Sequence, residues 1–252
     1  MNHNSRTRIP GTDLRAMRAV QRRIPIVQLL VLVVLCAYAF VTINGLASWP
    51  SIRSILVLAS FLGITAIGQT IVVLLGGLDL SIPGLILVGA FMTSRLAGPD
   101  GLPLWFVVLC IVLVGAGLGF VSGYISFYRR VQPLIATLGV GAIATGGILV
   151  WSAGLPAQPV PDALASLTRA TQPTFGLPLP PIVVIWVVLI VVIEVVLRTS
   201  VVGQHVYLTG SNPVAAGLSR VPTGRTWIGA FALSGVGSVS YTHLTLPTIL
   251  RV

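Results

Sequence analysis

Charge is absent from long stretches of this chain, whose apolar runs fall at 24–43, 54–75, 82–97, 104–126, 133–153 and 181–197, with a further run that starts at Trp227 and stays apolar only to about Gly237. Spanning a hydrocarbon core of about 30 Å takes about 20 helical residues. The pattern therefore predicts an all-α, polytopic transmembrane helix bundle of six full spans and the start of a seventh. Turn formers separate the runs. Gly98-Pro99-Asp100-Gly101-Leu102-Pro103 predicts a tight polar hairpin, Tyr128-Arg129-Arg130 a short basic turn, and residues 154–180 a long proline-rich loop holding Asp162 and Arg169. No internal repeat is visible. Residues 1–23 carry Arg6, Arg8, Arg15, Arg18, Arg22 and Arg23 against Asp13 and read as a basic arm ahead of a membrane domain at 24–238. A cleaved signal peptide also has a basic start and an apolar centre. The 24–43 run is long for one, however, and Asn44-Gly45-Leu46-Ala47-Ser48-Trp49 makes a weak cleavage site, so the run is read as a retained first helix.

Composition narrows the class. With 252 residues, 55% of them hydrophobic and 8% charged, and a mean hydropathy of +1.00, the chain lies outside the range of soluble globular domains. All 15 basic residues are arginine. Alternating the spans from a cytoplasmic N-terminus puts 11 arginines in the inner segments 1–23, 76–81, 127–132 and 198–226, and three, Arg53, Arg95 and Arg169, at outer ends. That is the bias of a cytoplasmic face. The net charge of +10 would suggest nucleic acid in a soluble protein. Placed in short segments between spans, it reads instead as an orientation signal and contact with anionic lipid, so no nucleic-acid partner is expected. Cys36 and Cys110 each lie inside an apolar run, which argues against a disulfide framework or a metal site.

One stretch stands out chemically. Gly76-Gly77-Leu78-Asp79-Leu80-Ser81 places a carboxylate in an apolar region, and Asp79 is the only acid between Asp13 and Asp100. A charge at the centre of a spanning helix costs about 2.5–3.5 kcal/mol on insertion scales, and the paired glycines let the chain break there. Two readings of Asp79 stay open. It is either a hydrogen-bonded member of the break, accepting from backbone N–H groups or from Ser81, or a solvated cap of the next helix, with Ser81 and Pro83 in its first turn. The arginine count sets the turn near the inner face. In the fourth span Gly115, Gly119 and Gly123 recur every four residues and predict a helix–helix seam. Glu194 and Arg198, four apart, can pair on one helix face.

Three stretches, in order over about 150 residues, resemble the permease subunits of ribose-type ABC sugar importers. They are Gly68 to Ser81, ending in the Gly-Gly-Leu-Asp-Leu-Ser turn; Val131-Gln132-Pro133-Leu134-Ile135-Ala136-Thr137-Leu138-Gly139 after a basic turn; and Val206 to Ser219, containing Gly210-Ser211-Asn212-Pro213-Val214-Ala215-Ala216-Gly217-Leu218-Ser219. Ser211 departs from the family, which usually has a second glycine there, and Val214 stands where an acid is common. On the residues themselves, Asn212-Pro213 reads as a cap and a helix-starting proline ahead of a short apolar-faced helix. The resemblance implies that this helix, with Gly210, Asn212, Pro213, Ala215, Ala216, Leu218 and Ser219, seats in a cytoplasmic ATPase subunit. It also implies a second permease copy and an extracytoplasmic solute-binding protein as partners, and a bacterial inner membrane as the location. This chain would bind no cofactor, ATP and Mg being used by the ATPase; it has no lysine and no G-x-x-x-x-G-K-[ST] loop.

Residues 239–248, Val-Ser-Tyr-Thr-His-Leu-Thr-Leu-Pro-Thr, match one reading frame of the DNA adapter used in transposase-based sequencing libraries. The expectation is that 239–252 is a non-native tail and that the natural product continues past Ser238 with further spans. The function expected is therefore import of a monosaccharide or similar small polar solute by alternating access. An ion-coupled secondary transporter would want several buried ionisable groups, for which Asp79 and Glu194 are thin support. An intramembrane protease would want a histidine within the spans, whereas His3 and His205 lie outside them and His243 falls in the tail.

Overall fold

The computed structural model describes residues 26–43, 45–97, 101–153, 174 and 179–249, with side chains of the last helix described as far as Ser240. The basic arm 1–23, Asp100 and nearly all of the 154–180 loop, with Asp162 and Arg169, lie outside the described residues. Those residues form nine helices and no strand longer than a single bridge residue: α1 Ile26–Thr42, α2 Trp49–Leu74, α3 Ile82–Leu96, α4 Leu104–Tyr128, α5 Pro133–Ser152, α6 Pro181–Thr199, α7 Val201–Ser211, α8 Pro213–Leu218 and α9 Thr223–Ile249. Contacts divide the chain at Ile52/Arg53 into two units. In the first, α1 buries none of its side chains, and leucines and valines such as Leu30, Val33 and Leu35 are exposed around it. A helix apolar on all sides is the pattern of a membrane segment.

In the second unit the helix ends follow local chemistry. Proline occupies the first turn of α3, α5, α6 and α8, where its missing N–H would have had no partner in any case. The end of α2 is a Schellman motif: the Gly77 N–H donates to the Val72 carbonyl at 3.0 Å, the Gly76 N–H to the Val73 carbonyl at 2.9 Å, and Gly76 takes φ +85°. That left-handed conformation suits glycine because it has no Cβ to clash.

The core lies around α9. Phe231, fully buried, packs with Val72 of α2, Leu75 just past its end and Val206 of α7, and Val239 packs with Leu85 of α3 and with Val107 and Ile111 of α4. A separate cluster joins Phe61 and Ile64 of α2 to Ile182 and Val183 of α6. The α4 glycines meet α9 directly. A Cβ added at Gly119 would lie 2.2 Å from the Phe231 carbonyl oxygen, one at Gly115 2.8 Å from that of Gly235, and one at Gly123 2.9 Å from the Ile228 Cα. The predicted seam thus has α9 as its partner, and Gly235 of α9 answers from the other side, where an added Cβ would lie 2.1 Å from the Gly115 carbonyl oxygen. Trp227 clamps the same pair by donating its indole N–H to the Ser126 hydroxyl at 2.7 Å.

Three details add to the run boundaries. Among the described residues four helices, α2, α4, α5 and α6, are long and apolar enough to cross a membrane, and α1 and α3 are shorter apolar helices of 17 and 15 residues. The break takes residues 75–81 out of regular helix, and α3 starts at Ile82, where the apolar run also starts. The last helix begins at Thr223, where the Pro222 carbonyl accepts the Thr226 N–H at 3.0 Å, and its backbone stays helical to Ile249 rather than stopping near Gly237. Finally, the 198–226 segment contains an eleven-residue helix, α7, ahead of the expected short one. Ser200, whose hydroxyl accepts from the Gly203 N–H at 3.1 Å, starts it. Glu194 and Arg198 do pair, on an exposed face of α6.

Candidate functional site at the break between α2 and α3

Between α2 and α3 the chain runs extended, and its side chains alternate: Leu75, Gly77, Asp79 and Ser81 are buried, while Gly76, Leu78 and Leu80 are exposed. A period of two is what an extended segment laid on a helical surface produces. Asp79 is 1% exposed. One carboxylate oxygen accepts from the Ser81 N–H at 2.9 Å and from the Ser81 hydroxyl at 2.6 Å, and the other accepts from the Ser234 hydroxyl of α9 at 2.7 Å. The alternative of a solvated cap is therefore set aside. Ser81 holds the N-cap position of α3 without a side-chain cap bond, because its hydroxyl is committed to Asp79. Three donors around one buried carboxylate meet the condition under which a charge is tolerated away from water.

The break is pinned on a second side by α5. The Leu80 N–H donates to the Thr137 hydroxyl at 3.0 Å, and that hydroxyl donates to the Pro133 carbonyl at 2.9 Å. Gly141, one turn further along α5, sits so close that a Cβ there would be 3.0 Å from the Ser81 Cα, and Gly84 of α3 crosses the same point, where an added Cβ would be 2.4 Å from the Gly141 carbonyl oxygen. Gly77 is confined as well: a Cβ added there would lie 3.1 Å from the Val72 side chain and 3.2 Å from the Phe231 ring. Neither Ser234 nor Thr137 was singled out by the sequence reading. Thr137 lies inside the second stretch quoted above; Ser234 has no local signal, since its role exists only through a partner 155 residues away.

Ser234, the partner of the carboxylate on α9, is nine residues from Arg225 along that helix, about 13 Å at the helical rise. The N–H groups of Leu78 and Asp79 make no hydrogen bond to another described residue.

The other predicted residues lie at the same end of the bundle. Asn212 caps α8, its side-chain oxygen accepting from the Val214 N–H at 3.1 Å and the Ala215 N–H at 3.0 Å, with Pro213 at the first helical position. Ala216 is buried, while Val214 is 73% and Leu218 83% exposed. Ser219 closes the helix, its N–H donating to the Ala215 carbonyl at 3.0 Å. Gly210, late in α7, rests on the last turn of α2, where a Cβ would be 1.9 Å from the Leu74 carbonyl oxygen. The short helix therefore connects through α7 to the residue that precedes the break. Among the described residues no three His, Cys, Asp or Glu side chains gather as a metal site would need.

Comparison with known proteins agrees on one family. Residues 51–238 match the family model described as branched-chain amino acid transport system / permease component. The chain is 31% identical over 211 residues to the ribose import permease protein of Haemophilus influenzae, covering 81% of this chain and 63% of that one. It is 29% identical over 214 residues to the fructose import permease protein of Rhizobium meliloti (82% and 59%) and 29% identical over 185 residues to the autoinducer 2 import system permease protein of Escherichia coli (70% and 54%). It thus spans somewhat over half the length of these curated relatives. No solved structure matches it. The match over residues 51–238 holds both the break and the α7–α8 element, and the chain, a multi-pass membrane protein, belongs to this family of transport-system permease components.

Proposed function

We propose that this chain is the membrane-spanning permease subunit of an ATP-binding cassette importer, working by alternating access on a monosaccharide or similar small polar solute. The observation that carries the reading is the break itself. An apolar span is interrupted at 75–81, its carboxylate is tied to α9, and the Leu78 and Asp79 N–H groups have no partner among the described residues. In hydrocarbon each unpaired N–H costs several kcal/mol, so the stretch belongs beside water or a polar solute, as discontinuous helices do in transporters. Gly76, Gly77, Asp79 and Ser81 then form a hinge in the translocation pathway. The carboxylate holds the hinge together rather than acting as a catalytic acid. The relatives' names supply the solute class: ribose, fructose and autoinducer 2.

The α8 helix is the proposed seat for a cytoplasmic ATPase subunit, which would use ATP and Mg. Its exposed Val214 and Leu218, four residues apart, form an apolar face on a helix held by a rigid cap. Movement of α8 passes through α7 to the end of α2 at the Gly210–Leu74 contact and so to the hinge. A second permease copy and an extracytoplasmic binding protein complete the importer. The arginine bias supports a cytoplasmic N-terminus in a bacterial inner membrane. The test is reconstitution of the complete permease in proteoliposomes with its ATPase and binding protein. Uptake of labelled solute should require ATP and both partners, and uptake that persists without the ATPase would refute the reading.

A further inference from the structure

A cavity of about 280 Å³ opens where α2, α6, α7 and α9 meet, at the end of the bundle that carries α8. Its walls are apolar, with Ile71 from α2, Leu197 from α6 and Leu233 from α9. Two groups depart from this character: His205 on α7 and Arg225 in the first turn of α9. Neither has a hydrogen-bond or ion-pair partner among the described residues. A guanidinium presents five donors to a phosphate, and an imidazole N–H adds another. The cavity shares Ile71, Ile193 and Leu233 with a further apolar cavity of about 330 Å³, so an apolar track continues along the helices away from the cation.

We propose that this cleft binds an anionic phospholipid, its phosphate held by Arg225 and His205 and one acyl chain lying against Ile71, Leu197 and Leu233. Unpaired basic groups at the mouth of an interhelical apolar pocket, at the arginine-rich end of a bundle, match the amphiphile on both counts. A zwitterionic lipid brings a choline cation beside its phosphate, which the guanidinium repels, and a free phosphate would leave the apolar track unfilled. Gly229 lines the same cavity, and a Cβ added there meets nothing within 4 Å. A larger side chain at 229 therefore enters the cleft without pushing the helices apart.

The test delipidates the complete permease in detergent, titrates it with phosphatidylglycerol or phosphatidylcholine, and counts retained lipid by native mass spectrometry. Phosphatidylglycerol should be retained in preference. Arg225→Gln should weaken that binding about fivefold and phosphatidylcholine binding by less, whereas Gly229→Leu should weaken both lipids with the thermal midpoint preserved. Equal retention of the two lipids, or phosphatidylglycerol retention unchanged in both variants, overturns the proposal. Displacement by inorganic phosphate as effective as by lipid also overturns it, by showing a free-anion site. Absence of any retained lipid does so too, by showing that other protein fills the cleft.

Discussion

Asp79 shows how a buried charge is made tolerable, and its neighbours predict what each replacement does. Ser234→Ala removes a hydrogen bond from one carboxylate oxygen, and hydrogen bonds to charged groups contribute about 1.5–3 kcal/mol. A lowered thermal midpoint in detergent should follow. Asp79→Ala strands the Ser81 N–H, the Ser81 hydroxyl and the Ser234 hydroxyl together, and each buried orphan costs about 1–3 kcal/mol. It should therefore destabilise more than Ser234→Ala does. Asp79→Asn keeps one acceptor oxygen for Ser81, while its amide can donate to Ser234, so assembly should survive. Uptake should nonetheless fall if the charge holds the hinge in register. Normal uptake by Asp79→Asn would reduce the residue to a structural tie.

At the scale of elements, the α4–α9 seam depends on backbone approach. Gly119→Ala drives a methyl into the Phe231 carbonyl, an overpacking that costs about 1–3 kcal/mol. Gly117, on the same helix, has open space around its added Cβ, so Gly117→Ala should gain the helix-propensity difference of about 0.5–1 kcal/mol. Opposite shifts in thermal midpoint for two alanines two residues apart would separate packing from propensity; equal shifts would remove the seam from the account. The same reasoning applies to the α7–α2 contact. Gly210→Ala pushes α7 off the Leu74 carbonyl, and ATP-driven uptake should drop by more than protein yield does.

For the whole molecule, the bundle is packed around α9 at one face and leaves α8 projecting apolar side chains at one end. Because Val214 and Leu218 are mostly exposed, replacing both with serine should leave the unfolding free energy within about 0.5 kcal/mol of the parent, as surface substitutions usually do. Assembly with the ATPase and solute-stimulated ATP hydrolysis should be lost. Unchanged stimulation would mean that the energy input enters elsewhere.

What the sequence determined by itself was local. Uncharged runs of spanning length set the helical, membrane-embedded class, because an unpaired backbone in hydrocarbon leaves few alternatives to helix. Asn212-Pro213 set the start of α8, since a cap and a first-turn proline act within three residues, and the Gly76-Gly77 pair marked where α2 ends. Helix α7 was missed because its polar residues mask its start, which rests on a single serine cap. Tertiary structure alone decided between the two readings of Asp79, which depend on whether Ser234 stands beside it. Register along α9 settles that over 155 residues of sequence. It also chose α9 as the partner of the glycine seam and tied residues 79–81 of the break to α5 and α9. The Gly-Gly-Leu-Asp-Leu-Ser stretch thus announced a break, and only its neighbours turned that break into a buried, tethered segment.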